Sequence, residues 1–156
     1  MAKVVFENRF DVPPEYAAKW LTDIRPDDGQ RFFQGPPGVA VTRKGNEIHT
    51  EGPHTLGWAR GQIVVDSPTA WHATTEMMRA KGTPVQLRGR IQEHVRPEGT
   101  GTYHRAEVDV EAMTLMAKLM MAVAGKRMME RDLKAGFAKV KQEMEAEFRA
   151  GKPPTG

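Results

Sequence analysis

MERDLKAGFAKVKQEMEAEF, residues 129–148, decides the fold. Its apolar residues are Met129, Leu133, Phe137, Val140, Met144 and Phe148, spaced four, four, three, four and four apart. That spacing puts all six on one helical face, and Lys, Arg and Glu occupy the others. Glu130–Lys134, Lys141–Glu145 and Glu145–Arg149 stand at i,i+4, each worth a few tenths of a kcal/mol on an exposed helix. Burying one large stripe residue contributes roughly 1.5–3 kcal/mol, so packing decides where this helix lies. Extended back to about Met113, it becomes the long last helix of a chain otherwise rich in strand signals.

Working backwards, residues 39–111 read as six short strands separated by turns. Lys44-Gly45-Asn46, Asp66-Ser67-Pro68-Thr69, Gly82-Thr83 and Arg96-Pro97-Glu98-Gly99-Thr100-Gly101 supply turn chemistry. The strands fall at Val39–Arg43, Glu47–Glu51, Leu56–Val65, Trp71–Arg79, Val85–Val95 and Tyr103–Val110. Ahead of them lies a strand over Lys3–Asp11. A helix then starts near Pro14 and carries Tyr16, Ala17, Trp20, Leu21 and Ile24, and a shorter turn at Gln30–Gln34 carries Phe32 and Phe33. Gly35-Pro36-Pro37-Gly38 is a loop. The order is strand, two short helices, six strands, long helix.

The 156 residues bear a formal charge of +3, with 28% charged and 39% hydrophobic, which describes one globular domain. Residues 1–150 are expected to form it, with 151–156 as a flexible tail. Scattered basic residues leave no groove for nucleic acid, and no apolar run is long enough to span a bilayer. There is no cysteine, so neither a disulfide nor a thiolate metal site is possible. Glu7, Arg9 and Asp11 interrupt the first residues and argue against a secretory signal. The expected location is the cytoplasm.

Phe10-Asp11-Val12-Pro13-Pro14-Glu15-Tyr16 with Trp20-Leu21-Thr22-Asp23 resembles the START-like, polyketide cyclase/dehydrase superfamily (SRPBCC). So do Pro97-Glu98-Gly99-Thr100-Gly101-Thr102 and Glu130-Arg131-Asp132-Leu133. The resemblance covers nearly the whole chain. It implies an α+β helix-grip fold, a seven-stranded curved antiparallel sheet gripping the last helix, with a ligand cavity between them. Members of this superfamily bind lipids, sterols, polyketides or quinones, act as cyclases, or bind proteins.

Pairing the last hairpin so that partner numbers sum to 197 sets Arg90 opposite Glu107 and Arg88 opposite Asp109 on the solvent face. Leu87, Gly89 and Ile91 then face inward. One strand back, placing Trp71, Ala73, Thr75 and Met77 inward leaves Glu76 outside, across from Arg90. Burying that carboxylate instead would be costly. With Gly57, Ala59, Gly61, Ile63 and Val65 also inward, the floor is mostly small residues, which leave space under a helix. The expected lining is Phe32, Phe33, Ala59, Ile63, Trp71, Ala73, Met77, Leu87, Gly89, Ile91, Leu119, Lys126, Met129 and Leu133.

Candidate chemistry is sparse. The histidines 49, 54, 72, 94 and 104 show no metal-ligand spacing, and no cofactor or metal is expected. The register brings Glu93 opposite His104 near the open end of the sheet, where the pair could act as general base or be a structural contact. Lys126 falls in the apolar stripe and could hold an anion, form a Schiff base, or snorkel to water, unless the helix changes phase at Gly125. Residues 113–124 are apolar all round with one charge, Lys118, and could wall the cavity, pack as core, or bind a partner, including a second copy in a homodimer. No phosphate loop or nucleophile elbow appears. The functional expectation is binding of a hydrophobic or amphipathic small molecule, a lipid, polyketide or aromatic. Its rivals are a cyclase/dehydrase-like enzyme and a protein-interaction module.

Overall fold

Alternating side chains and short turns build an all-antiparallel sheet, and the amphipathic last helix covers one face of it. A computed structural model describes residues 2–33 and 35–154. The strands are β1 (Ala2–Phe10), β2 (Ala40–Lys44), β3 (Glu47–His54), β4 (Gly57–Ser67), β5 (Ala70–Met78), β6 (Val85–Glu98) and β7 (Gly101–Ala112). They form one curved seven-stranded sheet in the order β1-β7-β6-β5-β4-β3-β2. Helix α1 (Pro14–Thr22) starts with proline in its first turn, and α2 (Asp28–Phe33) follows. The expected turn at 30–34 begins two residues earlier than its sequence placed it, and Gln34 lies outside the described residues.

The last helix runs as α3 (Leu115–Met120), a π-helical turn (Met121–Gly125) and α4 (Lys126–Arg149). Thr114 caps its start, accepting from the Ala117 N–H at 3.2 Å. At the other end Tyr16 donates to the Lys152 carbonyl at 3.0 Å, so the first tail residues are tied back to α1; Thr155 and Gly156 lie outside the described residues.

The last hairpin pairs with partner numbers summing to 199, not 197. Arg88 therefore faces Glu111, and Arg90 faces Asp109. Gly99, at φ 60°, turns the chain in two residues, so Gly101 already belongs to the strand instead of the loop. A slip of two keeps every side chain on its expected face. Arg90 is exposed, whereas Leu87 and Val108 are buried. Glu76 is outside as expected, but its partner across the strand is Arg88, not Arg90. Hydrogen bonds from Arg88 at 3.0 Å and Arg60 at 2.9 Å hold its carboxyl below the usual range.

The main core joins Phe10, Val12, Tyr16, Ala17, Trp20 and Phe32 to Val140 and Met144 of α4. A second cluster sets Leu87, Val108 and Val110 against Ala117, with Met121, Met129 and Leu133 beside it. Helix and sheet thus meet chiefly over β6, β7 and β1.

Candidate ligand site on the concave face

Burial changes across the inner face of the sheet. On β7, Ala106, Val108 and Val110 are sealed beneath the helix. On β4 and β5, the inward residues Ala59, Gly61, Ile63, Ala73, Thr75 and Met77 are only half-buried, as is Ile91 on β6. Small side chains on that half of the floor fail to fill the space to the helix, so water reaches them.

Three inward positions on neighbouring strands form one rung: Thr50 pairs with Gly61, and Gly61 with Thr75. A Cβ on Gly61 would lie 2.8 Å from the Thr50 Oγ1 and 3.5 Å from the Thr75 Oγ1. Neither hydroxyl has a hydrogen-bond partner among the described residues. Glycine leaves open the spot between two half-exposed hydroxyls. Across the inner face of β3 to β6 there is no lysine or arginine, and the single carboxylate is Glu93.

The far edge is tied to the helices by charge. Arg43 of β2 donates to the Ile24 carbonyl at 2.7 Å and reaches Asp23 at 3.3 Å. Asp23 also holds Arg25 at 2.9 Å, and the Arg25 N–H donates to Asp28. Burial pushes the Asp28 carboxyl up from its ordinary value, opposed by that N–H.

Glu93 and His104 meet, but diagonally: His104 pairs with Val95 across the strands, and its Nε2 lies 3.0 Å from Glu93 Oε1. The second Glu93 oxygen accepts from the Trp71 indole at 2.6 Å. The Asn8 amide nitrogen lies 3.1 Å from His104 Nδ1, so Nδ1 accepts and Nε2–H donates to Glu93. Phe10, Trp71 and Phe137 rings enclose the imidazole at 5.5, 6.3 and 5.5 Å. The expected position near an open end is therefore corrected: His104 has 0% exposure, and both ring nitrogens are engaged.

Of the expected lining, Ala59, Ile63, Ala73, Met77, Gly89 and Ile91 share the floor, and Leu87, Met129 and Leu133 pack together at its α3 end. Trp71 is 3% exposed, packed on Ala18 and Val95. Phe32 is buried in the core against Trp20 instead of facing the floor. Phe33 lies on Gly136 of α4, where an added Cβ would meet its ring at 2.1 Å. Leu119 points away, 56% exposed, because Ala117 and Met121 take the buried side of its turn. Lys126 is also outside the site, with its side chain 57% exposed and 4.0 Å from Glu130. Thr50 and Arg43 were missed; the shared parity of Thr50 with apolar Ile48 was the available signal for the first.

Two recesses of about 350 and 260 Å³ lie on the opposite, outer face. Thr42, His49, Glu51, Arg60, Gln62, Thr74 and Glu76 border the first, and Asp66, His72, Gln92, His94, Arg105 and Glu107 the second, among other residues. Among the described residues no group of three or more His, Asp or Glu side chains is placed to hold a metal ion.

No family model matches the chain, and no curated protein does. Solved structures do. TTHA0849 from Thermus thermophilus superposes with TM-score 0.71 at 13% identity, over 93% of this chain and 98% of that one. Ara h 8.0201 gives 0.64 at 11% identity over 93% and 98%. The di-domain ARO/CYC BexL from the BE-7585A biosynthetic pathway gives 0.66 at 13% identity, over 92% of this chain and 50% of its own. At these identities the likeness is one of fold. The chain has the helix-grip α+β fold that these structures share, as the sequence led one to expect.

Proposed function

We propose that the protein binds a neutral, largely apolar molecule carrying hydrogen-bonding oxygens, seated on the concave face between β3–β6 and α4. The observation that carries the reading is the half-exposed apolar floor of Ala59, Ile63, Ala73, Met77 and Ile91, beside a β7 sealed by the same helix. Apolar burial supplies the affinity, and a few polar groups fix orientation. Thr50 and Thr75 are those groups, and Gly61 leaves room for the atom they address. A floor without lysine or arginine disfavours a carboxylate or phosphate there, since a buried anion needs a partner.

Catalysis by Glu93 and His104 is not part of this reading. Each of their hydrogen-bonding positions toward the other is filled, and the imidazole has no surface through which to reach a substrate proton.

Native mass spectrometry of protein purified from its own host tests the proposal. A retained neutral molecule of lipid, polyketide or aromatic type is expected. In parallel, Ala73→Phe should weaken 2-naphthol binding at least tenfold with little change in melting temperature. A large fall in melting temperature with unchanged naphthol affinity would mean the floor is packed core.

A further inference from the structure

Seven of the large hydrophobic side chains that stand exposed on this protein fall in one short segment: Met113, Leu115, Met116, Leu119, Met120, Val123 and Met128. Leu115 and Val123 are 75% and 86% exposed. At about 100° per residue, Leu115, Leu119, Val123, Met116 and Met120 span an arc of roughly 140°, turned away from buried Ala117. The helix here has two apolar sides, one packed on the sheet and one facing water.

The charges beside the outer side have one sign. From Met113 to Met129 there is no Asp or Glu, while Lys118, Lys126 and Arg127 are present. Lys126 is shared with Glu130; Lys118 and Arg127 have no acidic partner among the described residues. The Met113 N–H and Thr114 hydroxyl both bond Gln86, anchoring the segment beside the β5–β6 turn that carries Arg79 and Lys81. An exposed apolar arc with cations on its flanks is the pattern of a helix lying in a bilayer interface. We propose that this segment docks the protein on an anionic membrane surface, with the outer face of α3 and the π-helical turn inserted among the lipids. A second copy fits less well, because a two-fold pairing would set Lys118 and Arg127 near like charges with no acid in the segment to answer them.

The proposal is independent of what the concave face holds, and vesicles alone test it. The full chain is sedimented with large vesicles of 70% phosphatidylcholine and 30% phosphatidylglycerol, and with pure phosphatidylcholine, at 0.1 M salt. Binding to the anionic vesicles is expected to be at least tenfold stronger. Lys118→Glu with Arg127→Glu should lower it at least tenfold, since each cation contributes about fivefold near such a surface. Leu115→Glu with Val123→Glu, at positions too exposed to hold the fold, should lower it at least as much. Melting curves check that both variants stay folded. Wild-type protein that stays in the supernatant, or pellets equally when the apolar arc carries charge, overturns the proposal. So does a wild-type dimer in analytical ultracentrifugation that Leu115→Glu with Val123→Glu converts to monomer, which would assign the surface to a second copy.

Discussion

Replacing Glu93 by leucine should destabilise the protein by about 2–4 kcal/mol. The carboxylate accepts from Trp71 Nε1 at 2.6 Å and from His104 Nε2 at 3.0 Å, and both donors belong to residues that are almost fully buried. A buried donor left without an acceptor costs roughly 1–3 kcal/mol. Two such donors give roughly 2–6 kcal/mol, offset in part by the desolvation that a buried carboxylate no longer suffers. Glu93→Gln keeps the shape but has one oxygen for two donors, so its cost should be about half. The measurement is urea denaturation at pH 7, with the slope checked for constancy. In a Trp71→Phe background the cost of Glu93→Leu should fall by about 1–3 kcal/mol, because one of the two orphaned donors is already gone. A Glu93→Leu protein within 0.5 kcal/mol of wild type, at unchanged slope, would refute the structural role. That result would return Glu93 to the candidates for chemistry, since residues kept for function are often neutral or costly to stability.

Met144, with 0% exposure in the main core, should cost about 2–5 kcal/mol as Met144→Ala, and half-buried Leu133→Ala less; denaturation midpoints decide the order. Gly136→Ala sets about 1 kcal/mol of gained helix propensity against displacement of the Phe33 ring. Stability should therefore change by under about 1 kcal/mol, while Phe33 and α2 shift in NMR spectra; unmoved resonances would count against the contact. Burial lowers the His54 value from the ordinary 6.5, and its Nδ1 accepts from the Leu56 N–H at 3.1 Å. The stability it supports is present above pH 6.5 and is lost as pH falls below it, so wild type should lose melting temperature relative to His54→Asn between pH 7.5 and 5.5. A titration midpoint for His54 at or above 6.5 would contradict this.

Strand order, helix order and the inward faces of β4 to β7 were legible because alternation has a period of two and survives errors in turn length. The hairpin shows the limit: Arg96–Gly101 contains enough turn-forming residues for several loops, and parity alone cannot separate registers two apart. Positions set by tertiary fit were not legible. Phe32 is as aromatic as Phe33, yet one enters the Trp20 core and the other covers Gly136. Thr50 was hidden because a threonine between Ile48 and Gly52 gives no sign of whether its hydroxyl finds a partner. Leu119, ahead of the π-helical turn, was not legible because of how that helix is wound.

From Ala117 the inward residues recur strictly every fourth position, at Met121, Gly125, Met129, Leu133 and Phe137. In a regular α-helix each step of four overshoots a full turn by about 40°, so Phe137 would end about 200° from Ala117. Yet Ala117, Met121, Met129 and Leu133 pack in one cluster, and Phe137 meets Phe6 of β1 at 5.5 Å on the same side. The π-helical turn at Met121–Gly125 accommodates one extra residue and takes back about 100°. That leaves about 100° of spread, the width of an ordinary apolar stripe. Extrapolating α-helical phase backwards from Leu133 across this turn therefore misplaces whatever precedes it, and so puts Leu119 inside; Lys126 follows the turn and reaches water by the length of its side chain, 4.0 Å from Glu130. The same winding lets Ala117 of α3 and Met121 of the π-helical turn face the sheet while Leu115, Leu119 and Val123 face outward: the apolar residues of 113–124 exceed what one face of the sheet can cover.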